Sequence, residues 1–154
     1  MFRRRFLQAL AAFAGLLIAA PGLAETEDFQ SDRISVVAKG SGPDVILIPG
    51  MTSSPSAWRS VADMPGYRFH YVQVKGFAGI PREASAQGNV SAPVAAEIAR
   101  YIEAAGLDRP ALIGHSMGGT MALMIAARHP DAVSKAVVVV QLPFMGMVYG
   151  PPGT

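Results

Sequence analysis

Short apolar runs alternate along the chain with stretches whose apolar residues recur at helical spacing. Five runs predict strands, at residues 33–40, 44–50, 67–74, 110–114 and 135–142. The run at 44–50, DVILIPG, is continuously apolar and bounded by turn residues, which is typical of a buried parallel strand. The run at 135–142, KAVVVVQL, is rich in β-branched residues, and we expect it to be a buried strand as well.

Helical patterns lie between these runs. Residues 91–106 have a capping serine at Ser91, a proline in the first turn, a glycine at the end, and apolar residues four apart at Val94, Ile98 and Ile102. A second helix is predicted at residues 117–129, ended by a proline. A third is predicted after residue 54, where Ser53 or Ser54 would cap and Pro55 would fill the first turn.

Alternation of strands and helices predicts right-handed βαβ units in one α/β domain, with a mostly parallel sheet and helices on both faces. In such sheets ligands bind at the carboxyl ends of the strands. Two turns fall at that edge, one after Pro49 and one around Ser116. The only tryptophan, Trp58, follows the first of them and is predicted to pack in the core beside the sheet.

Residues 1–24 have the layout of a secretory signal peptide. Arg3, Arg4 and Arg5 precede an apolar run, residues 6–20, that is shorter than the ~20 residues of a bilayer-spanning helix. Small residues precede Glu25, so cleavage is expected after Ala24, and RRRFLQ resembles a twin-arginine signal. We therefore expect export to the periplasm or outside, with no stable membrane span after cleavage. An uncleaved inner-membrane anchor is the alternative. Residues 25–32 would form a flexible start.

Charge and composition exclude several classes. The chain has 13 Lys and Arg against 11 Asp and Glu, but without residues 1–24 the balance is 10 against 11. The basic excess is thus in the leader and does not indicate a nucleic-acid-binding face. The absence of cysteine excludes disulfides and thiolate catalysis. No histidine–carboxylate spacing indicates a metal, and no glycine pattern indicates a nucleotide cofactor, so neither is predicted.

The residues GHSMG, Gly114 to Gly118, match the pattern G-x-S-x-G. We call residues 114–118 the Ser116 turn. In this pattern a nucleophilic serine lies in a tight, strained turn between a strand and a helix, where flanking Cβ atoms would collide with the neighbouring backbone. A predicted strand precedes the turn and a predicted helix follows it. Ser116 is therefore the candidate nucleophile.

At these residues the chain resembles the α/β-hydrolase family, over about residues 44–142. GHSMGG matches its nucleophile elbow, and LIPGMTSS, with Pro49 and Gly50, matches the turn that supplies part of the oxyanion hole. VKGFAG matches more loosely, since Lys75 stands where the family often has aspartate. The resemblance implies that Ser116 attacks, that the backbone N–H groups of Met51 and Met117 hold the oxyanion, and that Gly118 and Gly119 permit close packing of helix and strand.

The resemblance also implies an acid and then a histidine after the serine, but no histidine follows His129. His115 should point away from Ser116 and pack in the core or pocket wall. His129 would lie some 20 Å along the helix, and His70 is expected to be structural. We therefore expect the N-terminal part of such a domain, with the C-terminal half missing. Residues 143–154 would begin a cap or form a frayed tail.

The sequence thus predicts an exported serine hydrolase of a carboxylic ester or a related small acyl compound, inactive as this chain alone. Two alternatives stay open. One is a non-catalytic binding protein with the same fold. The other is haloperoxidase or C–C bond hydrolase chemistry on the same scaffold, because the fold does not decide between reactions. The substrate and the oligomeric state are not predicted.

Overall fold

The computed structural model describes residues 29–61, 64–86 and 89–140. The predicted signal peptide, the first half of the predicted flexible start (residues 25–28) and the predicted cap or tail lie outside these residues. Within them, no helix has the length and apolar character needed to cross a bilayer.

The described residues form a five-stranded sheet. Its strands are β1 (Ile34–Gly40), β2 (Asp44–Ile48), β3 (Arg68–Val74), β4 (Ala111–His115) and β5 (Lys135–Val139), in the order β1-β3-β2-β4-β5. β1 pairs antiparallel with β3, and the other three pairings are parallel. The mostly parallel sheet predicted from the sequence is confirmed.

Two α-helices, α1 (Ser91–Ala104) and α2 (Met117–Arg128), cover one face of this sheet. Their apolar residues, among them Val94, Ile98 and Ile125, pack with Ile46 and Leu112 in the larger core cluster. The opposite face carries a smaller cluster that contains Trp58. Three short 3₁₀ helices complete the described elements, at Pro55–Trp58, Glu83–Ala86 and Pro130–Ala132.

The segment after β2 differs from its prediction. A helix was expected there, but the structure has a 3₁₀ helix of only four residues, Pro55–Trp58. Ser54 does cap it, accepting a hydrogen bond from Ser56 N at 3.3 Å, and Trp58 packs in the core as predicted, with 8% of its surface exposed. The hydroxyls of Ser54 and Ser56 bond each other at 2.7 Å. Serines that satisfy local groups in this way compete with a longer helix.

The start of α1 also differs from its prediction. Ser91 is the first helical residue and not the cap, and the preceding Val90 makes no side-chain capping bond. The side chain of Asn89 takes that role, accepting from Ser91 N at 2.9 Å. A short amide side chain just before a helix serves this purpose as well as a serine does.

β5 is more exposed than predicted. Val137 and Val139 are 45% and 38% exposed. The reason is that β5 is an edge strand of the described sheet and α2 covers only one of its faces. The β-branched residues of this run had predicted a buried strand. The prediction of a strand was right, and the prediction of its burial was wrong.

Candidate active site

The Ser116 turn joins β4 directly to α2. Ser116 has φ 52° and ψ −121°, a region that a residue with a side chain occupies at a cost of about 1–3 kcal/mol. Neighbouring backbone holds it there. Ser116 N donates to Val139 O of β5 at 2.9 Å, and Gly119 N donates to Ser116 O at 2.8 Å. The strained conformation is thus imposed by both the strand beside it and the helix after it.

The glycines of the turn allow backbone to approach backbone. A Cβ on Gly114 would overlap the carbonyl oxygen of Gly118, and a Cβ on Gly118 would overlap the carbonyl oxygen of Ile48 at the end of β2. Both glycines are buried. A side chain at either position would force α2 away from the sheet and with it displace Ser116.

The turn after β2 lies against the Ser116 turn. We call residues 49–53 the Gly50 turn, which is closed by a hydrogen bond from Ser53 N to Gly50 O at 3.1 Å. A Cβ placed on Gly50 would lie 3.3 Å from the Cβ of Ser116. Thr52 has φ 60°, so this turn too has a strained residue. The two turns predicted at the sheet edge are therefore in contact.

The two predicted oxyanion donors occupy different settings. Met117 is the first residue of α2, so its N–H has no acceptor within the helix, and its side chain packs against the larger core cluster. Met51 follows Gly50, and 57% of its surface is exposed. Their roles as donors stay predictions, since they depend on where a substrate oxygen would lie.

His115 is half-buried and packs against the Gly50 turn. A Cβ on Gly50 would lie only 2.8 Å from its Nδ1. That nitrogen is buried and has no hydrogen-bond partner among the residues that the structure describes. The sequence predicted packing in the core or in the pocket wall, and the structure places His115 against the Gly50 turn.

His70 lies in the sheet interior and is 1% exposed. Its Nε2 lies 2.8 Å from Asp44 Oδ1, and its Nδ1 lies 2.7 Å from the hydroxyl of Tyr101 in α1. Asp44 is also held by Arg68 through both carboxylate oxygens. With Asp44 ionised, Nε2 donates to it and Nδ1 accepts from Tyr101. This network joins β2, β3 and α1, as expected of a structural histidine.

Burial sets the charge state of this network. It lowers the pKa of His70 below 6.5, outweighing the hydrogen bond to Asp44. Burial also tends to raise the pKa of Asp44, but the hydrogen bonds from Arg68 and His70 outweigh it and leave that pKa lowered. A neutral imidazole beside an ionised carboxylate follows at neutral pH.

His129 ends α2, and its backbone N donates to Ile125 O at 2.8 Å. It is exposed, at the far end of the helix from Ser116. These three are all the histidines of the chain, and none forms a hydrogen bond with the Ser116 hydroxyl. The fold brings the predicted nucleophile and the Gly50 turn together, and it places no histidine as their base.

One feature of the site had no signal in the residue types. The carbonyl of Val139 anchors Ser116 N, which any residue could do, since only the backbone takes part. Lys75, at the loosely matched end of β3, binds Glu83 with Nζ 2.8 Å from Oε2. In the part of the chain that the structure describes, no three His, Asp or Glu side chains are grouped to hold a metal ion.

Known proteins are similar to this chain over most of its described residues. A family model described as the alpha/beta hydrolase fold matches residues 43–149. A pimeloyl-[acyl-carrier protein] methyl ester esterase of Vibrio atlanticus is 31% identical over 115 residues, which are 73% of this chain and 42% of the relative. An N-formylmaleamate deformylase of Pseudomonas putida is 33% identical over 102 residues, 65% of this chain and 38% of the relative.

Among solved structures, a marine microorganism esterase has a TM-score of 0.59 at 26% identity, covering 70% of this chain and 41% of its own. The chain thus spans about two-fifths of the length of these relatives. The strained serine between β4 and α2, the abutting Gly50 turn, the sheet order and a family match over most of the described residues agree with one another. The chain belongs to the α/β-hydrolase family.

Proposed function

We propose that this chain supplies the nucleophile and the oxyanion donors of a serine hydrolase that cleaves a carboxylic ester or a related acyl compound. One observation carries the proposal: Ser116 is held at φ 52° with the Gly50 turn against its Cβ. A strained serine beside backbone donors is the arrangement that acyl transfer to water requires.

In the proposed reaction Ser116 Oγ attacks the acyl carbonyl, and the N–H groups of Met51 and Met117 stabilise the oxygen that becomes negative. One such donor contributes about 3 kcal/mol to lowering the barrier. Collapse expels the alcohol and leaves an acyl-enzyme, which water then hydrolyses. The N-terminus of α2 adds a favourable dipole at Ser116.

The general base comes from outside the described residues. His70 is occupied by Asp44 and Tyr101, His115 packs on Gly50, and His129 ends α2 on the far side. A base must lie within hydrogen-bond reach of the proton that it takes. The 154-residue chain alone is therefore expected to acylate slowly.

The names of these two relatives support acyl chemistry and differ in the group acted on, a methyl ester in one and a formyl group in the other. For this chain we propose the class of reaction and leave the acyl group open. Export through residues 1–24 remains part of the proposal. It predicts a shortened chain beginning at Glu25 in the periplasmic fraction, which N-terminal sequencing would detect.

The test of the nucleophile uses a fluorophosphonate with and without added imidazole, which can replace a missing histidine base. Peptide mapping should place the modification on Ser116, imidazole should accelerate it several-fold, and Ser116→Ala should abolish it. Modification spread over many serines would favour the non-catalytic alternative. Rapid ester turnover without imidazole that depends on Ser116 would support Ser116 as the nucleophile. It would refute the proposal that the general base lies outside the described residues.

A further inference from the structure

A groove of about 310 Å³ opens on the Trp58 face of the sheet. It lies between β1, β3 and the 3₁₀ helix Pro55–Trp58, and it is lined chiefly by Val37, Lys39, Ser56, Trp58, Arg59 and Tyr71. None of these residues belongs to the Ser116 turn or the Gly50 turn. The groove is therefore separate from the candidate active site, although the 3₁₀ helix follows the Gly50 turn closely in the chain.

The charge of this groove is of one sign. Lys39 and Arg59 both line it, and no carboxylate does. Two larger cavities of the described structure are lined by acidic and basic side chains together. A groove with cations alone attracts anions, and its concave walls strengthen that attraction.

The two cations also lack carboxylate partners. Lys39 Nζ lies 5.9 Å from the centroid of the Tyr71 ring, and neither Lys39 nor Arg59 forms an ion pair with any described residue. Elsewhere Arg68, Lys75 and Arg100 each bind a carboxylate. Both side chains are exposed, as are the equally unpaired Arg128 and Lys135, so the two charges of this groove are solvated and accessible to an anion.

The floor of the groove is apolar and aromatic. Val37 is 43% exposed, whereas Tyr71 and Trp58 are 7% and 8% exposed. The register of β1 with β3 pairs Val37 with Tyr71 and Lys39 with Phe69. Val37 and Lys39 therefore lie on the same face of the sheet as the smaller core cluster, which contains Trp58. The indole N–H of Trp58 is buried and has no acceptor among the described residues, which is rare for such a donor.

We infer that this groove binds a small amphiphilic anion, with one carboxylate or sulfonate group between Lys39 and Arg59 and an apolar body over Val37, Trp58 and Tyr71. Small-molecule sites combine a mostly apolar wall with a few polar groups that fix orientation, in volumes from about 300 Å³ upward. The inference does not depend on Ser116 or on hydrolase activity. It assigns the chain a second, non-catalytic site.

The experiment uses the purified 154-residue chain and octanoate below its micelle concentration. Trp58 is the only tryptophan in the chain and lines the groove, so all tryptophan emission comes from a residue of this groove. A saturable change in emission is expected with octanoate. Octanol, which lacks the charge, and acetate, which lacks the apolar body, should each produce a much weaker response. Isothermal calorimetry with octanoate provides a second reading if bound anion leaves the emission unchanged.

A pair of double variants decides where the anion binds. Lys39→Gln with Arg59→Gln should raise the octanoate Kd about five- to tenfold, as expected for the loss of two partly exposed cationic contacts. Arg128→Gln with Lys135→Gln removes the same charge from elsewhere and should leave Kd unchanged. The inference is overturned if neither emission nor heat saturates. It is also overturned if octanol binds as well as octanoate, or if both double variants weaken binding equally.

Discussion

Gly50 and Ser116 belong to turns 66 residues apart in the chain, and a single added methyl group on Gly50 would lie 3.3 Å from the Cβ of Ser116. The same methyl group would lie 2.8 Å from Nδ1 of His115. The absence of a side chain at position 50 is thus what allows the end of β2 to pack on the Ser116 turn. Three of the residues singled out by the sequence motifs meet at this contact.

This contact predicts that Gly50 and His115 are coupled. Gly50→Ala should lower the free energy of unfolding by about 1–2 kcal/mol, because the Cβ meets the imidazole closer than ordinary contact allows. His115→Ala removes the closest obstacle, so the double variant should recover about 1 kcal/mol relative to additive behaviour. Urea unfolding of the two single variants and the double variant measures this. Strict additivity would show that the ring does not fill the space beside Gly50.

Gly118 predicts a larger effect. Its added Cβ would overlap the carbonyl oxygen of Ile48, and neither group can move without shifting β2 or α2. Gly118→Ala should therefore cost about 2–4 kcal/mol of stability. Gly79→Ala is the control for backbone strain without overlap, because Gly79 has φ +82° but faces open space. It should cost only about 1 kcal/mol from backbone strain. Equal losses, measured by thermal or urea unfolding, would contradict the proposed backbone overlap.

The strain at Ser116 predicts an unusual order of stability. Ser116→Gly should be more stable than Ser116→Ala by about 1 kcal/mol, because only glycine occupies φ 52° and ψ −121° without strain. At Ala105, where φ is −83°, the exchange Ala105→Gly should instead lower stability. Urea denaturation of these variants gives both comparisons. If Ser116→Gly proved less stable than Ser116→Ala, the backbone there would not be strained.

The network of His70 and Asp44 predicts loss of stability in acid. Because the pKa of His70 is lowered in the folded chain, the unfolded chain takes up a proton that the folded chain does not, and stability falls as pH drops below about 6.5. The lowered pKa of Asp44 adds a further loss as pH drops below 3.8. Both contributions therefore make the folded chain less stable in acid than at neutral pH.

Urea unfolding at pH 7.5 and pH 5.5 tests the first of these contributions. His70→Gln should be less stable than the parent at pH 7.5 and should lose less stability between the two pH values. His129→Gln, at the exposed end of α2, is the matched control and should keep the parent's dependence. If His70→Gln lost as much stability as the parent between pH 7.5 and pH 5.5, the effect would belong to other groups.

Some elements could be predicted because the local signal and the tertiary environment agree. β2 was predicted from continuous apolar residues and is buried in the sheet centre. α2 was predicted from the pattern between Ser116 and Pro130 and has those limits within two residues. The helix predicted after β2 was longer than the four-residue 3₁₀ helix that forms. The hydrophobic spacing does not show the local serine contacts that compete with a longer helix. The exposure of β5 depends on its place at the edge of the described sheet, and not on the residues of the strand itself.

The sequence by itself determined the order of strands and helices and the serine with its flanking glycines, since these follow from residue types and local spacing. Only the tertiary structure decided that the Gly50 turn touches Ser116, that Val139 anchors its backbone, and that Lys39 and Arg59 line one groove. Those relationships join residues distant in the chain, and several involve only backbone atoms, which every residue has. The residue types alone could therefore not predict these contacts.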